Sequence, residues 1–417
     1  MALLVLLAVG ALFPVDPVQD AVTQVPVGFA ELTRPFPYLL GAPLFGVWDS
    51  LSLLALSQHY AVLVTLVLLY LVSVARARRW RTSGRPFGVW VVREVGRAAV
   101  ALMLLLAFYA AGMVLPRPMT GIELEGEDRL AIDFHSHTRY SHDGWDRFTA
   151  AANRAWHEAG GFDVAYVTDH YTWRGFDEAD LNNPERVGER TALLSGAEIR
   201  IHRRPTNILG DRSRYLGALD ADSIYMDPDS LADDYRRRGR PPTLLYTMPG
   251  GLQYVLPFSE AFPSGVIGVE INDGSPRGLE QVRAQRAEII ALADSMDLAL
   301  LGAANLHGWG RTVASWSVMT IPGWQDMTPE ALGDAIEALL HRERRDAVQV
   351  LERRMPYHGG SYPLLALTVP WLTFEHFRML SLGERLSWLV WIGVAVGLAA
   401  RWRKRSRTVG AISSAHT

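Results

Sequence analysis

The sequence predicts an α/β domain flanked by apolar helices that cross a membrane. Three observations carry this. Short apolar runs alternate with helical stretches between Gly121 and Tyr362, the pattern of a mostly parallel sheet. Apolar runs long enough to span a bilayer lie on both sides of that region. Histidines and acids stand at the ends of several predicted strands, where an α/β barrel gathers its chemistry.

The 417 residues allow one large domain or two ordinary ones. Net charge is −3, so nothing points to a nucleic-acid surface. The chain has no cysteine, which excludes disulfides, thiolate ligands and a cysteine nucleophile.

In chain order, Met1 to Val15 is apolar and reads as a span or as a signal-like segment, although it lacks a basic start. Leu51 to Val74 is broken only by serines, a threonine and the Gln58-His59 pair. Ala98 to Leu115 is 18 residues without a charge. Either run can cross a hydrocarbon core of about 30 Å. Leu386 to Ala400 is shorter, but Trp388, Trp391 and Trp402 suit the headgroup zone and extend it. The expected spans are therefore 1–15, 51–74, 90–115 and 384–402, each to within a few residues. Arg76, Arg78, Arg79, Arg81 and Arg85 separate the second and third runs, and Arg401, Arg403, Lys404, Arg405 and Arg407 follow the last. Short loops rich in arginine and lysine stay in the cytoplasm. Residues 120–362 then lie outside, between a membrane region (1–119) and a C-terminal span with a basic tail (363–417). The expected setting is a bacterial cytoplasmic (inner) membrane, with the lipid bilayer as partner.

The predicted strands are Leu130–Ile132, Val164–Val167, Leu193–Leu194, Leu244–Tyr246, Val266–Val269 and Leu298–Leu301. Asp146 to Ala159 reads as a helix stopped by Gly160-Gly161. Leu279 to Met296 has helical spacing. Thr328 to Arg354 reads as one long helix or two, capped by Thr328 with Pro329 in the first turn. Asp220 to Pro242 is polar and reads as an insertion over one rim. Gly359 to Thr373 leads back to the membrane, with interfacial residues around Pro370-Trp371.

The chemistry centres on Ile132 to Gly144, IDFHSHTRYSHDG. His135 and His137 are two apart on a strand end, so both side chains face one side and can close on one metal ion. Asp133 precedes them and Asp143 follows. Later strands lead to His170, Glu198, the Glu270-Ile-Asn272 segment, and Asn305 with His307. Gathered at strand C-termini, these groups can meet in one cleft.

The ordered segments FHSHTRYSHDG, VTDH, GAEI, EIND and GAANLH resemble the motifs of the polymerase-and-histidinol-phosphatase (PHP) family of metal-dependent phosphoesterases, over about Leu130 to Gly310. The resemblance implies a distorted (β/α)7 barrel with divalent ions, usually Zn, Mn or Fe. It implies His135 and His137 as ligands of one metal, Glu198 as a bridge between two, and Asp143, His170 and His307 around a third. The sequence departs from the family pattern where Asn305 replaces an aspartate, and where Asn207 and Met248 stand at expected histidines. One to three metals are expected, the middle one weak or missing.

The implied reaction is hydrolysis of a phosphate ester by water activated at His135, His137 and Glu198. Glu198, Arg204 and Arg311 are the expected catalytic side chains, an arginine fork orienting the phosphate; Arg139, Arg200 and Arg203 are neighbours of the same kind. The expected substrate is a small-molecule or envelope phosphoester. Trp145, Trp156, Trp173, Trp309 and Trp316 serve to stack on it or to pack the core. The rival is a catalytically degenerate barrel that binds metal or ligand as a membrane sensor. A third reading is hydrolysis of a non-phosphate ester or amide.

Overall fold

The computed structural model describes residues 2–76, 84, 86–201, 204–210, 242–248, 252, 266–357 and 365–414. The predicted insertion, apart from Pro242, lies outside the described residues, as do His202, Arg203, Arg78, Arg79, Arg81 and Arg85.

Among the described residues, three helices are long and apolar enough to cross a membrane: Leu56–Arg76, Phe87–Val114 and Leu382–Trp402. The chain begins with α1 (Ala2–Leu12). Its 11 residues rise only about 16 Å at 1.5 Å each, well short of a bilayer core. Two short strands follow, β1 (Val18–Asp20) and β2 (Ala30–Thr33). Then come α2 (Phe36–Leu40), α3 (Ala42–Ser52), α4 (Leu56–Arg76) and α5 (Phe87–Val114). The apolar run read as starting at Leu51 is thus divided. Leu51 lies in the last turn of α3, while Leu53 and Ala55 are buried against Leu279 and Ala314 of the domain. The helices α4 and α5 lie antiparallel: His59 touches Tyr109 at one end and Tyr70 donates to the Glu94 carbonyl at the other.

The domain is a mixed α/β unit. In order it comprises β3 (Gly121–Leu124), β4 (Arg129–Ser136), α6 (Ala150–Gly160), β5 (Val164–Val167), α7 (Arg174–Asp180), β6 (Ala192–Ile201), β7 (Arg204–Leu209), β8 (Thr243–Tyr246) and β9 (Val266–Asp273). It continues with α8 (Pro276–Ala284), α9 (Arg286–Met296), β10 (Ala299–Ala303), β11 (Ser315–Thr320), α10 (Pro329–Glu343) and β12 (Gln349–Arg353). The chain then enters α11 (Leu365–Met379) and α12 (Leu382–Ser414).

Among the described residues one sheet has ten strands in the order β1-β12-β11-β4-β5-β6-β7-β8-β9-β10. Only β4-β5, β5-β6, β8-β9 and β9-β10 are parallel pairs. The sheet is therefore less parallel than the sequence predicts, because β6 and β7 form a hairpin and β11 and β12 return beside β4. The helix read over Thr328–Arg354 stops at Glu343, and the end of that segment, Gln349–Arg353, is strand β12, paired with β11 and β1. The predicted Leu279–Met296 helix is broken at Gln285, whose side-chain oxygen accepts from the Leu252 backbone.

The sheet curls into a half-barrel. Just beyond β10, Asn305 N donates to the His135 carbonyl (2.9 Å) and His137 N to the Leu306 carbonyl (2.8 Å). On its other side β10 packs closely on β11 and β12 at Gly302, where an added Cβ would sit 2.9 Å from Ser315 Oγ and 3.1 Å from Val350. Segments assigned to the membrane region complete the domain: β1 pairs with β12 and β2 with β3.

A buried ionic cluster fixes this junction. Asp49 of α3 accepts from Arg117 (2.6 Å), Thr312 (2.8 Å), Tyr38 (3.0 Å) and Arg353 of β12 (3.2 Å). Burial pushes its carboxyl up, and Arg353 and Arg117 outweigh that to hold it below its ordinary value.

Candidate metal centre

The alternation of β4 sets the first two candidate ligands. His135 and His137 leave the strand on one side, their Nε2 atoms 3.0 Å apart. Glu198 Oε2, from β6 on the far side of β5, lies 3.1 Å from His135 Nε2 and 3.4 Å from His137 Nε2. His170 follows β5; its Nδ1 is 3.4 Å from the same carboxylate oxygen and its Nε2 is 3.4 Å from Asp143. His307 follows β10 and places Nε2 3.3 Å from the other Asp143 oxygen. The curl of the sheet thus brings together His135, His137, Asp143, His170, Glu198 and His307, as the sequence predicts. The candidate ligand sets are His135 with His137 and Glu198, His137 with His170 and His307, and His142 with Asp143 and His170; within each, the ligand atoms lie within 4.8 Å of one another.

The outer nitrogens are tied back. His135 Nδ1 is 2.7 Å from Glu270 Oε1, and His307 Nδ1 donates to the Asn305 carbonyl at 3.0 Å. Such bonds leave Nε2 of a neutral imidazole as a lone pair facing inward. Ser141 Oγ lies 2.9 Å from His137 Nδ1. Behind them, Asp133 accepts the Ala304 backbone N–H and pairs with His157 at 2.9 Å.

Burial alone would depress His135, but Glu270 and Glu198 outweigh it and hold the imidazole well above its ordinary value. Burial, with His307, His135 and His170 crowding it, keeps His137 well below. Burial pushes Glu270 up to about 7. It raises Glu198 too, yet His135 prevails and keeps that carboxyl low.

The residues fit a divalent ion. Two buried imidazole nitrogens and a carboxylate oxygen converge on one point, a donor set that suits Zn, Mn or Fe. Asn207 pairs with Glu198 across the β6-β7 ladder. Its amide donates to the Phe134 carbonyl (3.1 Å), and its buried Oδ1 has no hydrogen-bond partner among the described residues. Met248 is buried in the core, its backbone N–H donating to Glu270.

Other assignments shift. Asn305 joins the cleft, but its amide donates to Asp273 at 3.1 Å. Arg204 begins β7 and its side chain lies outside the described residues. Arg311 does not line the cleft; burial and Arg117 lower its pKa from the ordinary value. Arg200 lines it instead, because it lies two residues beyond Glu198 on the same face of β6. Arg139 is exposed and pairs with Glu178. Glu270, which the sequence offered at a strand end without a role, supports His135.

No protein-family model matches the chain, and no curated protein matches it. Solved structures do. PsfC from Pseudomonas syringae is similar at 17% identity, covering 61% of this chain and 100% of that one, with a TM-score of 0.37. A two-domain protein from Bacteroides vulgatus containing a predicted PHP-like metal-dependent phosphoesterase is similar at 14% identity over 58% of this chain and 69% of that one, with a TM-score of 0.35. The lesion-specific endonuclease PfuEndoQ from Pyrococcus furiosus is similar at 13% identity over 50% of this chain and 56% of that one, with a TM-score of 0.36.

Proposed function

We propose that the chain is a metal-dependent hydrolase of phosphate esters, anchored in a membrane with its active site outside the cytoplasm. One observation carries the reading: the inward nitrogens of His135 and His137 meet Glu198 Oε2 within 3.4 Å, while Glu270 fixes the outer nitrogen of His135. An ion bound there supplies positive charge that acidifies water and polarises a phosphoryl oxygen. Glu198 Oε2 also lies 3.4 Å from His170 Nδ1, so the carboxylate reaches toward the neighbouring ligand set. Arg200 lines a cleft of about 220 Å³ with Asp143, His170 and His307, and its guanidinium suits a phosphate placed there. In this reading residues 1–119 and 363–417 are the anchor, residues 120–362 are the hydrolase, the bilayer is the partner, and the ions are one to three of Zn, Mn or Fe.

The test is metal analysis of the full chain in detergent, with release of p-nitrophenol from p-nitrophenyl phosphate under added Mn²⁺ or Zn²⁺. Bound metal and metal-dependent turnover are expected, and His135→Ala should lower turnover at least 100-fold. Met248 and Asn207, at the positions of two expected histidines, favour the second reading of a barrel that binds metal without turnover. Metal at the site with no ester hydrolysed and no effect of His135→Ala would establish that rival.

A further inference from the structure

A second cavity, of about 430 Å³, shares Asp143, Asn305 and His307 with the polar cleft. Its size is that of a small-molecule site, about 300–1,000 Å³. The far wall comes from the helices below the domain: Trp48 of α3, His59 of α4, and Tyr109 and Met113 of α5. His59 lies in the first turn of α4, and Tyr109 and Met113 lie in the last two turns of α5. Where a helix crosses a bilayer, those turns stand at headgroup depth. The loop carrying His307 rests on the end of α5, since Gly310 N donates to the Met113 carbonyl at 2.9 Å. Trp309 of that loop stacks on Trp145 with ring centres 5.1 Å apart. A polar cleft for phosphate therefore adjoins an aromatic and thioether-lined space that begins at the mouth of two candidate spans. A water-soluble ester has no use for the second compartment, whereas an amphiphile fills both.

We infer that the substrate is a phosphoester of a membrane lipid, its phosphate in the cleft at Asp143 and His307 and its apolar part in the cavity against Trp48 and Met113. The inference rests on the phosphoesterase reading. Water adds its oxygen to phosphorus, the bond from phosphorus to the lipid alcohol oxygen breaks, and a proton from the water ends on that alcohol.

The experiment uses the full chain in phosphatidylcholine nanodiscs with Mn²⁺, comparing phosphatidic acid with p-nitrophenyl phosphate. Phosphatidic acid is expected to be hydrolysed. Met113→Trp, which fills the cavity, should raise its KM relative to that for p-nitrophenyl phosphate at least tenfold. Equal shifts for both esters, or hydrolysis of the soluble ester alone, would overturn the inference. If neither ester is hydrolysed, the phosphoesterase reading falls, and labelling decides the lipid site independently. Phosphatidic acid bearing a diazirine in its acyl chain should then cross-link within residues 109–113, with competition by unlabelled phosphatidic acid. Absence of that label would overturn the site.

Discussion

Glu270 is the residue on which the presentation of His135 depends. At 2.7 Å it selects which imidazole nitrogen turns inward. Glu270→Gln keeps a hydrogen-bonding group and removes the charge. Loss of such a supporting carboxylate typically costs about 10–100-fold in metal affinity. That loss is the expected result for Mn²⁺ titrated calorimetrically into metal-stripped protein, with the thermal melt of the metal-free form little changed. The convergence of His135 and His137 was legible because the two-residue repeat of a strand fixes their side. Glu270 was not given its role, since a carboxylate at a strand end reads alike whether it binds a metal or supports a ligand. Arg200 and Arg311 show the same limit. The i, i+2 rule places Arg200 beside Glu198, but nothing local tells that Arg311 is not among the residues lining the cleft.

At the scale of elements, Asp163 joins the end of α6 to β5 and β4. Its Oδ2 accepts the Ala131 N–H at 2.7 Å, and burial raises its pKa from 3.8 to about 6. The folded state therefore holds this proton more tightly than the unfolded chain does. Its stabilising contribution is complete below about pH 3.8 and is lost as pH rises through about 6. Asp163→Asn keeps an acceptor for Ala131 and cannot ionise. Thermal melts should show it more stable than the parent at pH 8 by on the order of 2 kcal/mol, with the gap closing toward pH 4. Elements with strong local signals were legible, such as α10 with its Thr328 cap on Ala331. β12 was not, because Gln349 to Arg353 carries no local preference strong enough to announce a strand and gains one only between β11 and β1. The break at Gln285 likewise depends on a distant backbone group, that of Leu252.

Across the whole molecule, hydropathy marked three helices that are long and apolar enough to cross a bilayer. It did not reveal that the segment between α1 and α2 supplies β1 and β2 to the domain, since three or four residues of strand leave almost no periodic signal. The arginine clusters predict the side on which each part lies. An alkaline phosphatase fused after Thr417 should be inactive and a green fluorescent protein there bright, as for a cytoplasmic terminus. The same phosphatase inserted between Asp220 and Pro242 should be active. The opposite pattern would place the domain in the cytoplasm while leaving the metal centre untouched.

The Asp49 cluster has a mechanical consequence. A head joined to its anchor by a loose linker sweeps a wide area and meets substrates at any angle. Here one carboxylate grips Arg117, just after α5, and Arg353, on a sheet strand, and so ties the sheet to the helices at a buried point. In the proposed anchored arrangement the fold would set its standing height and tilt, and it would work only on what drifts directly beneath it, supplied by lateral diffusion rather than by reach.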